Sequence, residues 1–150
     1  MATMGFVPLD GNGVRLVYLP SVAGATNFDA GDAVYLNSGV VTRVADGTTA
    51  NGVFGVAAAD SQAASFSCPV YVADPHSVWV GTVDGASVEG TVGNNYGLIV
   101  TSGSMAVGQS LTTNTLVRII DVHPADGYKA LGRVLFCWKS SAIQGNAAAD

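Results

Sequence analysis

Charge is what this chain has least of. Only 11% of its 150 residues are Asp, Glu, Lys or Arg, where an ordinary soluble domain carries roughly 25%. So few charges leave the surface to Ser, Thr, Asn, Gly and Ala, with some apolar area uncovered, and uncovered apolar area marks interaction surfaces. The six basic residues, Arg15, Arg43, Arg118, Lys129, Arg133 and Lys139, are scattered, and the net charge is −5. Neutralising phosphates requires a clustered basic surface. Neither nucleic acid nor an anionic membrane is therefore an expected partner. Helix formers are scarce as well, with one Glu (Glu89) and two Lys.

Other absences narrow the chemistry. No apolar run approaches the about 18 residues of a membrane helix. The start, Met1-Ala-Thr-Met-Gly-Phe6, lacks the basic region and continuous apolar stretch of a secretory signal. A soluble protein made in the cytoplasm is expected. Cys68 and Cys137 lie far apart without metal-ligand spacing; they read as small apolar residues inside strands, with one long-range disulfide as the alternative. Gly11-Asn12-Gly13 is followed by neither a third glycine nor a helix, and no GxxxxGK[ST] occurs, so the glycines belong to turns and not to a nucleotide cradle.

Nucleophilic catalysis needs a base beside the nucleophile, and only His76 and His123 supply imidazoles. Each sits beside a proline, with Asp74 or Asp121 two residues earlier; the pattern reads as exposed loop or strand end, since a His/Asp metal site would lack its third ligand. Asp10, Asp46, Asp84 and Asp126 fall in turn signals, and Asp29 and Asp32 in the Asp29-Ala-Gly-Asp32 loop, where Asp stabilises local backbone. No catalytic residue, cofactor or metal ligand is expected.

What the chain does have is β-forming sequence. Asp10-Gly11, Asn12-Gly13, Asp46-Gly47, Asn51-Gly52, Asp84-Gly85, Asn94-Asn95 and Asp126-Gly127 punctuate short runs rich in Val, Thr and Tyr. Such spacing predicts an all-β barrel or sandwich. Ala33–Leu36 and Val40–Val44 flank Asn37-Ser38-Gly39, a hairpin with its glycine in the left-handed position. Pro69 within 65–73 predicts an edge strand or a bulge. Val134, Phe136 and Trp138 alternate with Arg133, Leu135, Cys137 and Lys139, placing this run near the middle of a sheet.

Three regions are expected: an extended arm with one strand over 1–28, a β domain over 29–141, and a flexible tail over 142–150. The candidate interface comprises Phe6, Val7, Leu16, Tyr18, Phe28, Trp79 and Tyr96, since aromatic side chains are enriched at interfaces.

Two stretches carry a resemblance. One is Val70-Tyr-Val-Ala-Asp-Pro-His-Ser-Val-Trp-Val-Gly-Thr-Val-Asp-Gly85. The other runs from Val92-Gly-Asn-Asn-Tyr-Gly-Leu98 through Gly108-Gln-Ser110 and Leu116-Val-Arg-Ile-Ile-Asp-Val-His-Pro-Ala-Asp-Gly127 to Arg133-Val-Leu-Phe136. Over about residues 30–140 this order of turns and strands resembles the capsid decoration, or cement, proteins of tailed bacteriophages. The resemblance implies a virion structural protein on the capsid exterior, made in the host bacterial cytoplasm. Its partners would be the major capsid protein and further copies of itself, as a homotrimer or homodimer. Mass action would then stabilise the shell it binds. The alternatives are a carbohydrate-binding or adhesin-like β domain stacking sugars on Trp79 or Tyr96, and a head-fibre or tail component.

Overall fold

The computed structural model describes residues 5–9, 14–20, 28–45, 52–61, 67–85, 90–101, 104–128 and 131–144. Among the described residues there are eleven strands: β1 (Val7–Pro8), β2 (Leu16–Pro20), β3 (Ala33–Asn37), β4 (Val40–Arg43), β5 (Gly55–Ala57), β6 (Ser67–Val72), β7 (Trp79–Thr82), β8 (Asn95–Thr101), β9 (Ser104–Gly108), β10 (Val117–Val122) and β11 (Arg133–Trp138). They form two antiparallel sheets packed together as a sandwich, ordered β1-β7-β11-β10-β8-β9 and β2-β6-β5-β3-β4. Of the two all-β architectures expected, the sandwich is the one found, and neither sheet closes into a barrel.

Alternation builds the core between the sheets. In β11, Val134, Phe136 and Trp138 are buried while Arg133, Leu135 and Cys137 are half-buried, because successive side chains of a strand point to opposite faces. Trp138 meets three rings edge-on: Phe136 at 5.2 Å, Phe6 at 6.0 Å and Trp79 at 6.0 Å between centroids. Edge-to-face pairs at such separations gain from the ring quadrupoles beyond their buried area. Phe6 fits because β7 carries Gly81 opposite it; a Cβ there would lie 2.6 Å from the Phe6 ring.

Both sheets curl. The far edge of the first returns toward the end of β7, where Asp84 N–H donates to Val107 O at 3.1 Å and Val83 bridges Val107. In the second sheet the edges β2 and β4 come within 8 Å between Cα atoms. Its outer side encloses a second core of Phe28, Val34, Val41, Ala57, Cys68 and Val70, with Val17, Leu19, Leu36 and Phe54 packed against it. This sheet is therefore covered on both faces.

Several sequence expectations change here. Where one strand is expected in 1–28, the described residues hold two, β1 against β7 and β2 against β6. The turn pairs and the 24–27 stretch of that segment fall outside the described residues. Phe6 and Phe28 are each in a core, because burying an aromatic ring outweighs leaving it on a surface. The β3–β4 link has two residues, not three: Asn37 pairs with Val40, and Ser38 and Gly39 both take positive φ, 51° and 82°, as a type I′ turn requires. Strand β6 is internal despite Pro69. The Pro69 carbonyl accepts from Ala58 N–H at 2.9 Å, so its missing donor faces a point where β5 has already ended at Ala57. Cys68 is buried in β6, Cys137 half-buried in β11, and both are free thiols.

The expected tail begins later than residue 142. Val53 N–H donates to Ala142 O at 2.8 Å and Gln144 N–H to Val53 O at 2.8 Å. The Gln144 side-chain amide then completes the ladder of β3 past the end of β5: Leu36 N–H donates to its Oε1 at 2.7 Å, and its Nε2 donates to Leu36 O at 2.8 Å. Residues 145–150 lie outside the described residues. Gln144→Ala strips both partners from the half-buried Leu36 backbone, so the loss falls at the lower end of the about 1–3 kcal/mol that an unsatisfied buried group costs. Urea unfolding should show a loss in that range, and an unchanged midpoint would mean that the clamp carries no stability.

Candidate docking surface

The seven candidate interface residues separate into two groups. Phe6, Phe28, Trp79 and Tyr96 are buried in their own chain and have no face for a partner. Trp79 faces Tyr71 and Trp138, and Tyr96, register partner of Val117, belongs to the same core. A sugar platform on Trp79 or Tyr96 has no open ring to offer. Val7, Leu16 and Tyr18 remain exposed, at 39%, 41% and 67%.

Val7 lies on β1 at the edge of the first sheet, and Leu16 and Tyr18 lie on β2 at the edge of the second. Tyr71 of β6 connects the two edges. Leu16 stands opposite Tyr71, and Tyr18 opposite Pro69. In antiparallel strands such opposed side chains share one face. Tyr71 in turn lines an open groove of about 290 Å³ with Gly5, Phe6, Val7, Ala30, Gly31, Ala57 and Ala58. The floor is small residues and backbone. Phe6 N–H donates to Gly31 O at 2.7 Å, and Gly31 N–H to Ala57 O at 2.7 Å, which ties β1 to the second sheet below the groove. Gly31 takes φ 93°, where a side chain would be strained, and a Cβ on Gly5 would stand 2.5 Å from Gly31 Cα.

One end of the groove is acidic. Asp29 and Asp60 are exposed there, and Asp60 Oδ1 accepts Ala30 N–H at 2.9 Å. Asp32 lies beneath them, 2% exposed. It accepts Asp29 N–H at 3.0 Å and stands 3.2 Å from Arg43 Nε. Burial pushes the Asp32 carboxyl above its usual range, with further upward pressure from Asp29 and Asp60; the Asp29 N–H and Arg43 pull it down without cancelling the rise.

The sign of that shift sets a pH dependence. Stability contributed by a group with raised folded-state pKa is complete below its ordinary value, 3.8, and is lost as pH rises through the folded value. Asp32→Asn removes the titration and keeps an acceptor for Asp29 N–H. Wild-type stability minus that of Asp32→Asn should therefore fall as pH rises from about 4 toward 7. Urea midpoints measured across that range give the answer, and a flat or rising difference would show that Arg43 dominates.

The other polar candidates serve turns. Asp74 Oδ1 accepts His76 N–H at 2.7 Å, His123 Nδ1 accepts Ala125 N–H at 3.2 Å, and Asp126 holds Arg133 through both carboxylate oxygens at 2.8 and 3.0 Å. Among the described residues no three His, Cys, Asp or Glu gather as a metal site, and no helix is long and apolar enough to cross a membrane.

Sequence reasoning missed Tyr71, Pro69 and the Ala57-Ala58 pair as parts of this surface. Their membership follows from strand register and from the return of β1 over residue 31, neither of which leaves a local pattern. No protein-family model matches the chain, and no curated protein matches it either.

Proposed function

We propose that this chain is a virion structural protein of the capsid decoration kind, made in the host bacterial cytoplasm. It docks on the outside of a bacteriophage head and secures neighbouring major capsid protein subunits, acting with other copies of itself. The observation that carries this reading is the exposure of Val7, Leu16 and Tyr18, with half-buried Tyr71 opposite Leu16 and in the groove beside Val7, on a chain with little charge. A surface of this composition has the apolar centre and the tyrosines of a protein–protein interface. The low charge density fits a protein that functions as part of an assembly.

The test is titration of the purified protein against undecorated, expanded heads of its phage, followed by a heat challenge. Saturable binding in a fixed ratio to capsid subunits, with a raised disruption temperature, is the expected result. Leu16→Ser with Tyr18→Ser should weaken binding by about 10-fold or more, the scale of lost interface anchors, while leaving the fold intact because both side chains are exposed. Wild-type protein that neither binds nor stabilises the heads would sink the reading.

A further inference from the structure

The groove and its acidic end specify more than a generic apolar contact. We infer that the groove between β1 and the 29–31 and 57–60 loops seats an extended segment of a partner protein presenting one apolar side chain next to a lysine or arginine. The inference rests on the docking reading and names the chemistry recognised at that surface.

Shape comes first. The groove is open, and Tyr71 on its lining stands opposite Leu16, with Tyr18 opposite Pro69 further along the same pair of strands. A small molecule gains most where it can be enclosed, whereas an extended chain can lie along a shallow track and place alternate side chains into it. The floor of Gly5, Gly31, Ala57 and Ala58 leaves room for one apolar side chain from outside, flanked by Val7 and Tyr71.

Charge selects the neighbour of that side chain. Asp29 and Asp60 stand exposed at one end of the groove, each close enough to Asp32 to raise its affinity for a proton. Arg43 is 3.2 Å from Asp32, and Asp29 and Asp60 bring two further carboxylates to this corner. An incoming ammonium or guanidinium would offset the like-charge crowding, and an incoming carboxylate would add to it. Complementarity of this kind decides partner choice and salt dependence more than total affinity.

Two measurements on the full chain test this. The first follows backbone amide shifts by NMR during titration with two capped tetrapeptides, Gly-Leu-Arg-Gly and Gly-Leu-Glu-Gly. The arginine peptide should move the Ala30, Gly31, Ala57 and Ala58 amides more than the glutamate peptide, and Asp29→Asn with Asp60→Asn should abolish the difference. Asn at 60 keeps an acceptor for Ala30 N–H, so the loop is preserved. Equal shifts from the two peptides, or none at these amides, would overturn the inference. The second compares wild type with the same double variant on expanded phage heads at low and high salt. Binding should weaken about 2- to 10-fold at low salt, the range of exposed ion pairs, and lose much of its salt dependence. Unchanged affinity and salt response would show that the acidic end is idle in docking. Heads that bind no wild-type protein would defeat the docking reading, and the peptide result would then decide the groove by itself.

Discussion

Phe6→Ala is expected to cost about 3–5 kcal/mol, the range for removing a buried aromatic side chain. Against a total of about 5–15 kcal/mol for a typical domain, that loss leaves the fold marginal or worse. The side chain is 1% exposed and sits edge-on to Phe136 at 5.3 Å and to Trp138 at 6.0 Å. Its removal opens a cavity beside Gly81 that neither rigid neighbouring ring can fill. Urea unfolding monitored by tryptophan fluorescence gives the magnitude, since both tryptophans lie in the affected cluster. A loss below about 1 kcal/mol would mean that residues 5–9 merely drape over the domain. The full loss would make this segment part of the core, so a truncation meant to remove an arm would also empty the interior. Docking by the N-terminal segment is better probed at Leu16 and Tyr18, which the core does not use.

The second large effect is expected at Gly55. This residue pairs with Val72 on one side and Val34 on the other, within a strand whose three residues are all buried. A Cβ at this position would enter the van der Waals envelope of the Tyr71 carbonyl oxygen and come 2.9 Å from Val70 Cγ1. The first obstacle is backbone of an internal strand and cannot rotate aside. Gly55→Ala should therefore lose at least the upper end of the about 1–3 kcal/mol typical of overpacking. Because the strained contact includes Tyr71, the variant should also disturb the groove, and the Ala57 and Ala58 amides should shift. A stable Gly55→Ala protein with unmoved amides would mean that β5 and β6 can separate slightly without loss. Tyr18→Ser, at an exposed position, should alter stability little, which separates fold effects from docking effects.

The strands that sequence could read are those whose pattern is local. Arg133–Trp138 alternates cleanly, and its buried set matches the structure. The hairpin after Ala33 was visible through Ser38-Gly39, although the turn proved one residue shorter than its glycine implied. Strand β9 escaped notice because Ser104-Met-Ala-Val-Gly108 has neither strong alternation nor β-branched density. Pro69 misled for a physical reason: proline excludes a strand from the sheet interior only where a partner needs its N–H, and β5 ends one residue short of that need. The interface was harder. Phe6, Trp79 and Tyr96 have the composition of a contact surface and the location of a core, since the same large apolar side chains serve both.

By itself the sequence determined the class of the protein. Few helix formers, regular Asp-Gly and Asn-Gly punctuation and short β-branched runs leave only an all-β chain, and sparse charge predicts apolar area at its surface. These are sums over local preferences, which composition and spacing record. The tertiary structure decided which apolar residues are left outside. That choice depends on the pairing of Leu16 with Tyr71, on the return of β1 over Gly31, and on the curl that gives the second sheet a core on each face. Each of these joins residues distant in the chain, where side-chain packing and not local conformation sets the energy, so no window of sequence contains the information.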